Sequence, residues 1–371
     1  MGALVLALNA GSSNLKCALF ELRGAAPAEV ARTRVDTHGA GEDRAAAAKL
    51  LDWAASVRPG EDLAAAGHRV VHGGVAMSGP VLIDDQVIEA LEELTPLAPL
   101  HQPQSLAVIR AVAALRPGLA QVACFDTAFH RTQPAVAVRF GLPRALHDQG
   151  VRRYGFHGLN YEHVAARLAG LDPATAGGRV IAAHLGSGAS LCAMSAGASV
   201  DTTMGFSPLD GLVMSTRPGA LDPGVILHLQ LQRGMTAAEV QDLLYHRSGL
   251  LGVSGLSGDM RTLLESPAAE AAEAVDLFVH RAAREAAALA GSLGGLDGVI
   301  FTGGIGENSP RIRARIAEKL AWLGLDLDAD ANAGGGEGRI SAAGARVCAW
   351  IIPADEEQVI ARQTASLTGS M

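Results

Sequence analysis

Three glycine-rich turns follow apolar runs in this chain: residues 11–14 in NAGSSN, 186–190 in HLGSGAS and 303–308 in GGIGEN. Without a Cβ, glycine lets the backbone turn sharply and aim several N–H groups at one anion, as a phosphate requires. Any one of these is equally well a plain turn. Three in one chain, two of them in repeat-related positions, point to a nucleotide. Neither GxxxxGK[ST] nor GxGxxG occurs, so a P-loop or dinucleotide fingerprint is not supported.

Charged and titratable residues accompany the turns. HRVVHGG carries Arg69, a fixed guanidinium suited to an anionic substrate, between His68 and His72; the intervening valines suggest a strand, and no third metal ligand is in view. FDTAFH places Asp126 at the C-terminal end of an expected strand, where ligand sites of open α/β sheets collect; a helix N-cap is the alternative. YGFHG sets His157 between glycines, open to reading as a core histidine, and TRPGALDP supplies Arg217 beside a helix start at Asp222-Pro223. SGDMR contributes Asp259 and Arg261. PADEE offers Asp355, Glu356 and Glu357, which a solvated first helical turn would also explain.

The elements that must hold these residues alternate between sheet and helix. Residues 4–8 and 16–20 flank NAGSSN as a hairpin, and residues 29–35 extend its sheet. Asp85 opens a helix bearing Val87, Ile88, Leu91 and Leu94, and residues 122–125 form a short strand. VIAAHLGSGASLCAM can be laid on the first hairpin at an offset of 175 without a gap. Ala7, Gly11, Ser12, Cys17 and Ala18 then meet Ala182, Gly186, Ser187, Cys192 and Ala193. An offset near half the chain is what duplication of one domain would leave. Val275 to Leu289 mark a long amphipathic helix, residues 299–301 a buried strand, Ile312 to Leu323 another helix, residues 334–338 a surface loop, and residues 347–352 a last strand ending at PADEE. Domain boundaries are expected near 148 and 356, with residues 357–371 returning as a helix to the first domain.

Composition bounds the function classes. At 371 residues the chain is long enough for two to three domains of about 100 to 200 residues each. With 49% hydrophobic and 18% charged residues it is neither disordered nor collagen-like. A net charge of −8 gives no basic face for nucleic acid. Only Lys16, Lys49 and Lys319 are lysines, which makes Lys16, next to a Gly/Ser turn, unusual. Cys17, Cys124, Cys192 and Cys348 form no CxxC, so a reducing cytoplasm is expected, and no signal peptide or membrane helix is read.

In order along the chain, NAGSSNLK, HRVVHGG, LAPLH, FDTAFH, YGFHG, HLGSG, DTTMGFSPLDGL, GDMR, FTGGIGEN and PADEE resemble the blocks of acetate kinases. The resemblance implies an α/β fold of two duplicated actin-like (ribonuclease H-like) domains around a nucleotide cleft, and reversible transfer of the ATP γ-phosphoryl group to acetate with Mg²⁺ or Mn²⁺, giving acetyl phosphate and ADP. It implies that Asn9 and Glu356 are linked to the metal and Lys16 to the nucleotide phosphates. Asp126, Arg69, His157 and Arg217 would serve catalysis, with Val71, Leu100, His101, Phe156 and Pro208, beside Arg69, around the substrate. His184, Leu185, Gly186, Ser187, Gly188, Asp259, Met260, Arg261, Gly304, Ile305, Gly306, Glu307 and Asn308 would hold the nucleotide. A homodimer is implied on the same ground. Ser187 stands where the family has Asn in HLGNG, and Pro218 and Ala220 depart from TRSGD. A propionate or butyrate kinase of the same family, or a non-enzymatic actin-like protein, are the competing readings.

Overall fold

A computed structural model describes residues 3–11, 14–23, 26–36 and 43–369, and it divides into two units. The first comprises Met1–Arg131, Phe156–His163 and Asp355–Met371, the second Thr132–Gly155 and Val164–Ala354. The sequence-based boundary near 148 is therefore displaced. The first unit closes soon after FDTAFH, and YGFHG straddles a return: its last three residues, Phe156 to Gly158, rejoin the first unit because Gly158 N–H donates to the Asp126 carbonyl at 2.9 Å.

In the first unit the strands are β1 (Ala3–Ala10), β2 (Asn14–Arg23), β3 (Ala26–Asp36), β4 (Leu63–Val70), β5 (Val81–Leu82) and β6 (Ala120–Phe125), in the sheet order β3-β2-β1-β4-β6-β5. β1 is apolar almost throughout because both faces of the sheet are covered, as expected where strands pair in parallel. Its side chains alternate with period two. Leu4, Leu6 and Leu8 pack with Leu50 and Val112 of helices Asp43–Val57 and Gln102–Leu115. Val5 and Ala7 pack on the other face with Val359, Ile360 and Ala361 of helix Glu356–Thr368, the element expected to return from the C-terminus. Gly67 of β4 permits that helix to lie close: a Cβ there would sit 2.1 Å from Thr364 Oγ1 and 2.6 Å from Ile360 Cγ2.

In the second unit the strands are β7 (Arg179–Leu185), β8 (Ala189–Ser195), β9 (Ala198–Thr202), β10 (Gly298–Thr302), β11 (Gly338–Arg339) and β12 (Cys348–Ile351). Read from one edge, the order β9-β8-β7-β10-β12-β11 reproduces the first sheet position for position. The senses agree too: the hairpin pairs and the far edge pair are antiparallel, and the central pairs are parallel. Duplication is thus a property of topology.

The gapless offset of 175 does not survive. Ala10 pairs with Leu15 across the first hairpin, whereas Leu185 pairs with Ala189 across the second, so the second connection is one residue shorter. Gly11 N–H donates to Asn14 O, and Gly186 N–H to Gly188 O. Gly11 and Gly186 correspond at 175, but beyond the turn the offset is 174, so Ala18 corresponds to Cys192. The matches of Cys17 with Cys192 and of Ala18 with Ala193 are coincidental, and Ser12 lies outside the described residues. Residues 334–338 are not all loop, since Gly334 ends helix Ala329–Gly334 and Gly338 begins β11. The long helix is Ala269–Leu293. No helix among the described residues is long and apolar enough to cross a membrane.

Candidate active site

The parallel strands of the first unit end together, and their C-terminal ends carry the polar residues of the site. Asn9 is the penultimate residue of β1, Arg69 of β4, and Asp126 directly follows β6, its N–H donating to Val70 O at 3.2 Å. Arg69 Nε lies 3.1 Å from both Asp126 oxygens and Nη2 is 2.6 Å from Oδ2, a two-pronged ion pair. Arg69 Nη1 also reaches Ala10 O at 3.3 Å and Asn9 Oδ1 at 3.5 Å. Asp126 is fully buried, which pushes its carboxyl up from the usual carboxylate range against the pull of Arg69. Burial also works against the Arg69 charge, yet Asp126 and Glu356 outweigh it and raise that pKa.

Helix Glu356–Thr368 brings two carboxylates to the same strand ends. Asn9 Nδ2 donates to Glu356 Oε2 at 2.7 Å and to Glu357 Oε1 at 2.8 Å. Asp355 caps the helix by accepting from Gln358 N–H at 3.2 Å, and carboxylates in a first turn meet the positive end of the helix dipole. Burial, and then the neighbouring Glu356, raise the Glu357 carboxyl above its ordinary range. Glu357, not singled out from the family pattern, is thus as firmly tied to Asn9 as Glu356 is. Lys16 stands directly opposite Asn9 in the β1–β2 ladder with an exposed side chain, and its charge acts on Glu357.

No cluster of three or more His, Cys, Asp or Glu among the described residues is arranged to hold a metal ion. His68 is bonded to Gln121 at 2.7 Å inside the sheet, and His72 Nδ1 accepts from Gly74 N–H at 2.9 Å; neither belongs to a cluster of that kind. A magnesium ion needs no such cage. It is commonly held through one or two oxygen ligands plus waters and substrate phosphates, and the oxygens of Glu356 and Asn9 fit that demand.

The YGFHG segment is shaped by close approach. His157 has φ 59°, a left-handed conformation rare for a side chain with a Cβ, and Gly155 has φ 78°. A Cβ on Gly158 would fall 2.1 Å from Asp126 O. The His157 backbone N–H donates to the Asp126 carboxylate and favours its charged form. Phe156 and Val71 are both buried, while Leu100 and His101 are half-buried just before helix Gln102–Leu115.

In the second unit, Arg217 Nη1 donates to Pro208 O at 2.7 Å, in a turn closed by Met214 N–H to Arg217 O at 3.0 Å. Pro218 and Ala220 flank Gly219, whose φ of 74° and distance of 2.4 Å from a built Cβ to Leu212 O leave room for no other residue. A cavity of about 550 Å³ is lined by Gly186, Ser187, Asp259, Met260, Arg261, Gly304, Ile305 and Asn308 from the expected nucleotide set. Ser215, Gly258, Leu264, Glu265, Ser309, Pro310 and Arg311 complete the lining; Gly258 lies within GDMR, Ser309 adjoins GGIGEN, and the others carry no sequence signal.

Five expected nucleotide residues of this unit do not line that cavity: His184, Leu185, Gly188, Gly306 and Glu307. Leu185 is buried, and Gly306 packs against the Phe301 and Ala183 backbones. Glu307 Oε1 accepts from Gly303 N–H at 2.9 Å and Ala354 N–H at 3.0 Å, so its carboxylate ties the GGIGEN junction to the start of PADEE. Residues 303–308 are a short helix, not a turn; the reversal is concentrated at Gly303, φ 76°.

Paired carboxylates and an ion-paired arginine at strand ends in the first unit, with a roomy cavity walled by glycines and a helix cap in the second, fit a phosphotransferase on a duplicated α/β scaffold. The acetokinase family model matches residues 29–362, and the chain belongs to that family. It is 51% identical to the acetate kinase of Rhodopseudomonas palustris strain TIE-1, covering 98% of both chains. Among solved structures it resembles Porphyromonas gingivalis acetate kinase, with TM-score 0.87, 33% identity and coverage of 98% of this chain and 99% of that one. It is equally like a propionate kinase from Francisella tularensis, with TM-score 0.88, 35% identity and the same coverage.

Proposed function

We propose that the chain is an acetate kinase, transferring the γ-phosphoryl group of ATP to acetate reversibly and by direct in-line displacement. The observation that carries this reading is the engagement of both Asp126 oxygens by Arg69. Both oxygens of that carboxylate are already committed to Arg69, and a carboxylate substrate needs no base. Acetate is ionised at neutral pH; its oxygen forms the new bond to γ-phosphorus as the bond to the β–γ bridging oxygen breaks and ADP leaves. No proton moves.

The demand is instead to bring two anions together and neutralise the equatorial phosphoryl oxygens as charge spreads over them. Arg69, held rigid by Asp126, together with His157 and Arg217, would supply that stabilisation. Val71, Leu100, His101, Phe156 and Pro208 would surround the acyl methyl. The cavity with Gly186, Ser187, Asp259, Met260, Arg261, Gly304, Ile305 and Asn308 would take ATP, with Lys16 directed to its phosphates. Magnesium, or manganese, would be held by Glu356 and Asn9 and would supply charge neutralisation on the phosphates.

Cytoplasmic residence is supported by Cys17, Cys124, Cys192 and Cys348 being thiols rather than disulfides. A homodimer is supported by helix Pro223–Leu231, which has no buried residue and exposes Val225, Leu227 and Leu231. Unpartnered apolar area of that kind marks an interaction surface. Sedimentation should give twice the chain mass, and a stable monomer would refute it.

The likeness to a propionate kinase keeps a second acid in view, since one methylene changes discrimination by only about 1–3 kcal/mol. Trapping acyl phosphate with hydroxylamine after mixing the protein with MgATP and acetate, propionate or butyrate tests the reading. The highest kcat/KM is expected for acetate. A preference for propionate or butyrate would move the substrate, and no hydroxamate from folded, ATP-binding protein would remove the kinase.

A further inference from the structure

We infer that two buried histidines, His130 and His72, are positioning residues that fix Phe156, one through its carbonyl and the other through its ring, and thereby set the acyl-chain length the enzyme prefers. The inference rests on the acyl-kinase reading above and on Phe156 bordering the acyl group. His130 Nε2–H donates to the Phe156 carbonyl at 3.0 Å, holding the main chain. The His72 ring meets the Phe156 ring edge-on, with centroids 5.7 Å apart and planes at 63°, holding the side chain.

Both histidines are themselves locked. His130 sits edge-on to Phe129 at 5.8 Å and to Tyr161 at 5.7 Å. Gln102, fully buried, clamps the His72 backbone: its Oε1 accepts from His72 N–H at 3.3 Å, and its Nε2 donates to His72 O at 3.1 Å. Gly74 N–H donates to His72 Nδ1, which leaves the Nε2 protonated. Burial pushes both imidazoles down to about 4, so they are neutral at pH 7 and act by shape and hydrogen bonding. Phe156 therefore cannot withdraw without leaving buried polar groups unsatisfied. FDTAFH and HRVVHGG thus act beyond Asp126 and Arg69: each also carries one support for the same phenyl ring.

The readout is the ratio of kcat/KM for acetate to that for propionate, measured by hydroxamate formation with MgATP. His130→Leu removes the donor to Phe156, and the ratio should fall about tenfold, within the range one methylene controls. His130→Gln offers an amide N–H in nearly the same place and should keep the ratio. His72→Asn retains an acceptor for Gly74 N–H but removes the ring, and should lower the ratio as His130→Leu does.

Equal losses for both acids in His130→Leu, unrelieved in His130→Gln, would mean a merely structural role and overturn the inference. Should His130→Leu not fold, His72→Asn decides: an unchanged ratio in that folded variant overturns it. Absence of acyl phosphate from the unmodified chain would remove the acyl-kinase reading itself, and this inference with it.

Discussion

Arg69 and Asp126 form a single ion-paired unit: two guanidinium nitrogens face the carboxylate, the nearest contact being 2.6 Å, and Asp126 has no exposed surface. Removing one partner leaves the other buried and uncompensated, at a cost of about 3–5 kcal/mol in stability. Arg69→Ala should lower kcat about a hundredfold or more, as loss of a preorganised donor does. Asp126→Asn should lose activity through the same guanidinium. The double variant should therefore be little worse than Arg69→Ala alone, whereas additive losses in the cycle would show that Asp126 acts independently, on the metal or its water.

Gly158→Ala tests whether the YGFHG loop is held by close approach. A Cβ placed 2.1 Å from Asp126 O and 2.9 Å from Phe129 Cβ cannot be accommodated by rotating a flexible side chain. Stability should fall by about 1–3 kcal/mol or more, read from the denaturant midpoint, and activity should fall with it because the loop carries His157. An unperturbed variant would contradict the packing.

Arg217→Ala should leave the fold intact, since the side chain is only half-buried and donates to the Pro208 carbonyl from a turn the backbone itself closes. The expected loss in kcat is 10²–10³-fold, or about 2.7–4 kcal/mol, with KM for ATP little changed. A kinetic effect below about tenfold, roughly 1.4 kcal/mol, would remove Arg217 from the transition state.

His68, His72 and His130 are each pushed down to about 4 by burial, from an ordinary value of about 6.5. Between those values the unfolded chain binds more protons than the folded one, so stability is fully present above about 6.5 and is lost as pH falls towards 4. Each histidine should contribute a slope on the order of 1.4 kcal/mol per pH unit in that window. Urea midpoints at a series of pH values, compared between the unmodified chain and His68→Gln, measure it; identical slopes would contradict the assignment.

Much of this was legible in residue order. Leu4, Leu6 and Leu8 against Val5 and Ala7 carry the period of a strand buried on both faces, and Gly/Ser turns mark the hairpins. The one-residue difference between the hairpins was not legible, because register depends on how each loop closes and small residues align at either offset. The helix over residues 303–308 was hidden by its glycines, which read as a turn until Glu307 is seen bonding back to Gly303. At the site, Arg69 and Asp126 were each visible as motif residues. Their pairing was not: 57 residues separate them, and only the parallel registers of β4 and β6 bring them together. His72 was visible only as a weak candidate metal ligand and His130 not at all, since a neutral buried histidine has no signature apart from what it touches.

The central claim is that the γ-phosphoryl group passes straight from ATP to a carboxylate with no residue of the chain phosphorylated on the way. It is tested most directly with ATP made chiral at the γ-phosphorus by oxygen isotopes, turned over with acetate and magnesium, and the configuration of the acetyl phosphate determined. One in-line displacement predicts inversion. Retention would require two displacements through a phosphorylated side chain and would contradict the account.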